Sequence, residues 1–201
     1  MIRQTLYSKR PNLVLGFHGC DKTTVDRVLA GDDLKESTND YDWLGNGIYF
    51  WENNADRALE WAQDPHHNIK TPAVLGAILD LGYCMDLMDS EFLCELKEAY
   101  EILNETLSLV GKPMPKNEGK PPDKVLRKLD CAVVQMAHTI NEKSDPGIPF
   151  DSVRGVFWEG GELYPGAGFS LKNHIQICVR NPNCIKGYFL PRNVNGKFII
   201  P

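Results

Sequence analysis

Apolar positions change their period along the chain, and each change predicts an element. Leu13-Val-Leu-Gly-Phe17 is a short apolar run ending at His18-Gly19, the pattern of a buried strand opening into a turn. Val25, Val28 and Leu29 then recur at helical spacing, with Asp21 or Thr23 as the cap and Gly31 as the terminator. Polar residues 32–42 form a loop. Gly45-Asn-Gly-Ile-Tyr-Phe-Trp51 sets glycines before a β-branched and aromatic stretch, a turn feeding a strand. Asn53 or Asn54 caps the next helix, whose inward stripe is Ala55, Ala58, Leu59 and Ala62. Ala73 to Leu81 is mostly apolar and predicts a strand covered on both faces.

From Asp89 to Val110 the period is helical, with Phe92, Leu93, Leu96, Leu103 and Leu107 on one face and Gly111 at the end. A second helix is expected from about Pro122 to Glu142 through Val125, Leu129, Val133, Met136 and Ile140. The stretch 111–122 between them is rich in Pro and Gly and reads as an exposed loop. The pair thus forms a helical hairpin inserted over approximately 86–150. Strands resume at Val153–Trp158, Asn173–Val179 and Ile185–Leu190, with a Gly-rich loop from Glu159 to Gly168. Asn195-Gly196 ahead of Phe198-Ile199-Ile200 predicts a terminal hairpin. Strands at both ends with helices grouped between them indicate an α+β fold in a single domain over 1–201, and no Gly-x-Gly-x-x-Gly fingerprint marks a doubly wound sheet.

Composition narrows the function classes. The 201 residues are 42% hydrophobic and 24% charged, enough for one substantial core. A net charge of −5 argues against a surface that grips nucleic acid along its length. Lys112, Lys116, Lys120 and Lys124 make a local basic stretch that either recruits a nucleic acid or an acidic partner or simply keeps the loop solvated. The longest apolar run, Ala73 to Leu79, is far below the ~18–20 residues of a membrane-spanning helix, so no membrane association is expected. Met1 to Arg10 lacks the apolar centre of a secretory signal, and the expected location is the cytoplasm. Six cysteines without a Cys-x-x-Cys are expected to be free thiols. His66-His67 is the only close histidine pair, and no metal site is expected.

Three short segments carry candidate chemistry. At His18-Gly19 an imidazole at a strand end reaches a ligand while glycine lets the backbone approach it, unless the ring is simply solvated. In Gly45-Asn-Gly-Ile-Tyr-Phe50, Gly45 and Gly47 permit close contact and Tyr49 offers a stacking face, the bland alternative being a turn and a core aromatic. In Asn173–Val179, alternation puts His174, Gln176 and Cys178 on one face and Ile175, Ile177 and Val179 on the other. That polar face meets either a ligand or solvent.

In this order and at these intervals the segments resemble the ADP-ribosyltransferase superfamily, in its His-Tyr-Glu branch of diphtheria-toxin-like enzymes and poly(ADP-ribose) polymerases. Phe17-His-Gly19 matches that branch's strand-end motif and Gly45–Phe50 its second motif. The late strand places Gln176 where the branch carries its catalytic glutamate. The resemblance implies two small packed sheets flanking a cleft for NAD as substrate. His18 would hold the adenosine ribose, Gly19 would bond the nicotinamide amide through its backbone with Gly47 nearby, and Tyr49 would stack on the nicotinamide. Trp61 is the candidate for the ring's other face. His174 would contact the acceptor and take its proton, and Glu159 or Glu162 would swing a carboxylate to the centre from the target-contacting loop.

The implied activity is transfer of a single ADP-ribose to a macromolecular acceptor, protein or nucleic acid, with release of nicotinamide. Glutamine has no charge to favour an oxocarbenium-like centre and is no base, which argues against chain elongation. Two alternatives keep the pocket: a toxin-like NAD glycohydrolase held by an inhibitory partner protein, and a noncatalytic NAD or ADP-ribose sensor.

Overall fold

The computed structural model describes residues 13–119 and 124–200. Its elements in chain order are β1 (Val14–Asp21), α1 (Lys22–Leu29), β2 (Ile48–Glu52), α2 (Ala55–Gln63), β3 (Pro72–Leu79), β4 (Cys84–Asp86), α3 (Ser90–Leu109), β5 (Asn117–Glu118), β6 (Leu126–Arg127), α4 (Lys128–Lys143), β7 (Ser152–Phe157), β8 (His174–Val179) and β9 (Ile185–Phe189). The α+β class holds. Local caps start the helices: Asp21 accepts the Thr23 N–H at 3.0 Å, Asn54 that of Arg57 at 3.0 Å and Asp89 that of Glu91 at 2.9 Å.

Seven strands form one mixed sheet in the order β4-β7-β8-β2-β1-β3-β9, not two separate sheets. The reason is a narrow junction. β1 and β2 pair only at Gly16↔Glu52 and Phe17↔Trp51, while β2 runs along β8 from Ile48 to Trp51 and β1 along β3 for its whole length. Two half-sheets are therefore stitched by two residue pairs, and beyond Phe17 they part.

Helices cover both faces. α1 sets Val25 and Val28 into a core with Phe50, Leu75, Leu79 and Ile177. On the opposite face Ala58 of α2 packs on Phe17 and Trp51, and α3 and α4 bring Phe92, Leu103, Val133 and Val134 against Val153, Phe157 and Cys178. On that same face Tyr49 of β2 and Gln176 of β8 are only half-buried.

Several expectations are corrected. Residues 111–122 are not wholly loop, because Asn117–Glu118 pairs with Leu126–Arg127 and the Asn117 carboxamide accepts the Leu129 and Asp130 N–H groups at 3.0 and 3.3 Å. That side chain starts α4 at Lys128, later than Pro122. Residues 190–200 hold no strand, and Phe198, Ile199 and Ile200 are exposed. Pro191, with no N–H to donate, follows directly after the end of β9 and Leu190. Leu93 faces solvent instead of the core. Lys120, Pro121, Pro122 and the stretch Met1–Arg10 lie outside the described residues. No helix among the described residues is long and apolar enough to cross a membrane, and all six cysteines are free thiols.

One core residue makes stability depend on acid. His138 on α4 is 2% exposed, packs edge-on to Phe150, and neither ring nitrogen has a hydrogen-bond partner among the described residues. Burial, with the Arg180 charge nearby, pulls its pKa down to about 3. Unfolding frees the ring to bind a proton near its ordinary 6.5, so its contribution is complete above that pH and declines as pH falls toward 3. Between pH 6.5 and 5 about 2 kcal/mol should be lost on this account. Urea titrations of His138→Leu are expected to show a flatter profile in that interval; an unchanged profile refutes the assignment.

Candidate functional site

The site forms where β1 and β2 part. The Lys22 N–H bonds the Thr71 carbonyl and the Asn53 N–H bonds the Leu15 carbonyl, so even residues of β1 face β3 and odd ones face β2. The N–H and C=O of Gly19 are thus aimed into the slot past the last β1–β2 pair. A side chain there is excluded unless α2 moves, since a Cβ on Gly19 would collide with the Ala58 carbonyl oxygen of that helix. Glycine brings helix and strand together.

His18 leaves β1 on the Phe50 side, with ring centroids 5.9 Å apart, and turns its Nδ1 onto the Tyr49 carbonyl at 2.8 Å. A carbonyl only accepts, so Nδ1 carries the hydrogen and Nε2 is left as an acceptor. Burial lowers the imidazole's pKa, although the Tyr49 bond opposes it, and the ring stays neutral at pH 7.

Tyr49 stands on the other face. Its hydroxyl donates to the Gly45 carbonyl at 2.6 Å and accepts the Leu44 N–H at 2.9 Å, so the ring is locked and half-buried. Burial, reinforced by the neighbouring Cys178, raises its pKa well above the usual phenol value. Gly47 serves packing: a Cβ there would lie 2.6 Å from the Cys178 sulfur and from the Val179 carbonyl oxygen.

Gln176 sits opposite Trp51 on β2, two positions along from the Tyr49–Cys178 pair and on its face. Its Nε2 meets His174 Nε2 at 3.1 Å, and His174 Nδ1 meets the Lys172 carbonyl at 2.8 Å. The His174 side chain is fully buried, among the rings of Trp43, Trp51 and Phe157. Both its nitrogens are engaged, so the expected role of taking an acceptor's proton does not fit this geometry. The Gln176 Oε1 has no protein partner among the described residues and is the exposed end of the chain of bonds.

Glu159 is drawn into the site and Glu162 is not. Glu159 binds the Arg57 guanidinium and lies 3.7 Å from His174 Nδ1. Glu162 accepts the Gly166 N–H at 2.9 Å, closing a turn within its own loop. Trp61 stacks on His67 with centroids 3.9 Å apart and packs 5.7 Å from Trp51, so one of its faces is already covered. Lys112, Lys116 and Lys124 are exposed.

Sequence reading missed Arg57, Trp51 and Trp43. Trp51 was within reach, because alternation along β2 puts it on Tyr49's side. Arg57 left no signal: its buried position follows from a partner 102 residues away. Trp43 joins the inserted hairpin to the site, its indole N–H bonding the Val125 carbonyl at 2.8 Å and the Arg127 guanidinium lying 4.1 Å over its ring.

Chemically, the parted strands offer the acceptor His18 Nε2 on one face, the acceptor Gln176 Oε1 and the flat Tyr49 ring on the other, and a backbone N–H and C=O at Gly19 in the gap. This set suits a ligand that carries hydroxyls, a carboxamide and a planar ring. No protein-family model matches the chain. It is similar, at 25% identity over 224 aligned positions spanning 99% of this chain and 93% of the relative, to the uncharacterized protein MJ0359 of Methanocaldococcus jannaschii.

Proposed function

We propose that the protein has an ADP-ribosyltransferase-like fold, binds NAD in the slot between β1 and β2, and transfers a single ADP-ribose to a macromolecular acceptor. The observation that carries this reading is the His18 Nδ1 bond to the Tyr49 carbonyl where the β1–β2 ladder ends. It fixes the His18 ring at the point where the strands part, with Gly19 in the gap and Tyr49 and Gln176 on the opposite face.

In this reading the Gly19 backbone pairs with the nicotinamide carboxamide and Tyr49 stacks on the ring. His18 Nε2 accepts from an adenosine ribose hydroxyl and Gln176 Oε1 from a nicotinamide ribose hydroxyl. The bond between ribose C1′ and the nicotinamide nitrogen breaks with its electron pair leaving on nicotinamide. A nucleophile of the acceptor bonds to C1′ and gives up its proton to solvent. Gln176 orients without withdrawing a proton, which limits the reaction to one transfer.

A second reading is favoured by a specific feature. Gln176 has no charge, and Glu159, 3.7 Å from its neighbour His174, is held by Arg57. With nothing to stabilise a cationic sugar, the same pocket is a sensor that binds NAD or ADP-ribose without turnover.

Calorimetry with NAD and ADP-ribose tests the site. His18→Ala is expected to weaken NAD binding by at least about tenfold, the worth of one hydrogen bond in a half-buried slot. Equal affinity in the variant sinks the site. Incubation with NAD labelled in the adenylate, against protein and nucleic acid, separates transfer, hydrolysis and mere binding by where the label ends.

A further inference from the structure

We propose that His174 is a positioning residue that decides which end of the Gln176 carboxamide is presented to the slot. The proposal rests on the NAD reading only for the identity of the hydroxyl that Gln176 meets. Lys172 offers a carbonyl, which can only accept, so the His174 Nδ1 holds a hydrogen. In the neutral ring Nε2 is then an acceptor, and the Gln176 atom 3.1 Å away has to be the amide nitrogen. The carbonyl oxygen is turned outward as an acceptor for a ligand hydroxyl. Glutamine by itself has no preference between its two ends; His174 supplies it.

A proton added at Nε2 reverses the arrangement. The ring then donates at both nitrogens, repels the amide N–H2 and takes Oε1, and the amide turns its donors toward the slot. A hydroxyl that was polarised by an acceptor now meets a donor. The charged groups facing the ring come from three elements: Glu159 from the loop after β7, Arg57 from α2 and Arg127 from β6. Burial, with the two arginines, disfavours the protonated ring, while the Lys172 bond and Glu159 favour it. The balance is a pKa below the ordinary imidazole value, so the acceptor-out state holds at neutral pH.

Nitrogen-15 NMR of the ligand-free protein reads this directly. At neutral pH the His174 ring should show the Nδ1–H tautomer. On acidification the Gln176 side-chain N–H2 resonances should move with the same midpoint as the ring. In His174→Gln, which keeps a donor for Lys172 and an acceptor for Gln176 but does not titrate, they should stay still. NAD affinity at neutral pH should fall by about tenfold in His174→Ala and by under about threefold in His174→Gln. An Nε2–H tautomer at neutral pH, a Gln176 amide indifferent to the protonation of His174, or an alanine variant that binds NAD as the wild type does overturns the proposal. If the wild type binds no NAD, the NAD reading fails, whereas tautomer and amide shifts still judge His174.

Discussion

Arg154→Ala is expected to cost about 3–5 kcal/mol of folding stability at pH 7, the usual penalty for stranding buried charges. Arg154 is 4% exposed and lies between two carboxylates, bonding Glu52 through Nε and Nη2 and reaching Asp86 at 3.2 Å. The cluster ties β2, β7 and β4 together across β8. Burial works against the guanidinium's charge, but the bonds and charges of Glu52 and Asp86 outweigh it and raise its pKa. Removing the arginine leaves two acids with little water and mutual repulsion. In urea the midpoint should drop with the slope unchanged, and the triple variant Arg154→Met, Glu52→Gln, Asp86→Asn should recover at least half of the loss. A loss under about 1 kcal/mol in Arg154→Ala shows that the cluster is not a clasp.

Gly19→Ala is expected to destabilise by about 3 kcal/mol, the upper part of the range for overpacking, and to abolish NAD binding. The new methyl would overlap the Ala58 carbonyl, a backbone atom that moves only with α2, and would meet the Ala62 side chain at 3.3 Å. The helix has to lift, and Trp51 and Phe17 beneath it lose their cover. Gly187→Ala is the matched control, since nothing lies within 4 Å of a Cβ there. Thermal melts that place both variants near the wild type contradict the close approach of α2 to β1.

Much of the fold was legible because period and punctuation are local properties. The β-branched and aromatic run after Gly47, alternation at Asn173–Val179 and helical spacing at Phe92 and Leu103 located their elements, and of the paired cap candidates the structure uses Asp21 and Asn54. What failed was long-range. Whether β1 and β2 pair depends on two residue pairs near Gly16, which no periodicity encodes. The terminal hairpin failed because Asn195-Gly196 is a turn signal without a strand to turn from, β9 having ended before Pro191. At the site, His18, Gly19, Tyr49 and Gln176 were readable as short segments. The burial of His174 was not, because its cover comes from Trp43, Trp51 and Phe157, each on a different segment. Glu159 and Glu162 looked equivalent in sequence, and only Arg57 distinguishes them.

The two-pair seam between the half-sheets has a mechanical corollary. One interior spans that seam, with Phe50 and Ile177 of one half packed against Leu75 and Leu79 of the other, so torsion about Gly16 and Phe17 shears packed side chains as well as straining a few amide bonds. Aperture is accordingly set by side chains common to both halves and not by the short ladder, so a guest meets a frame whose width is already fixed.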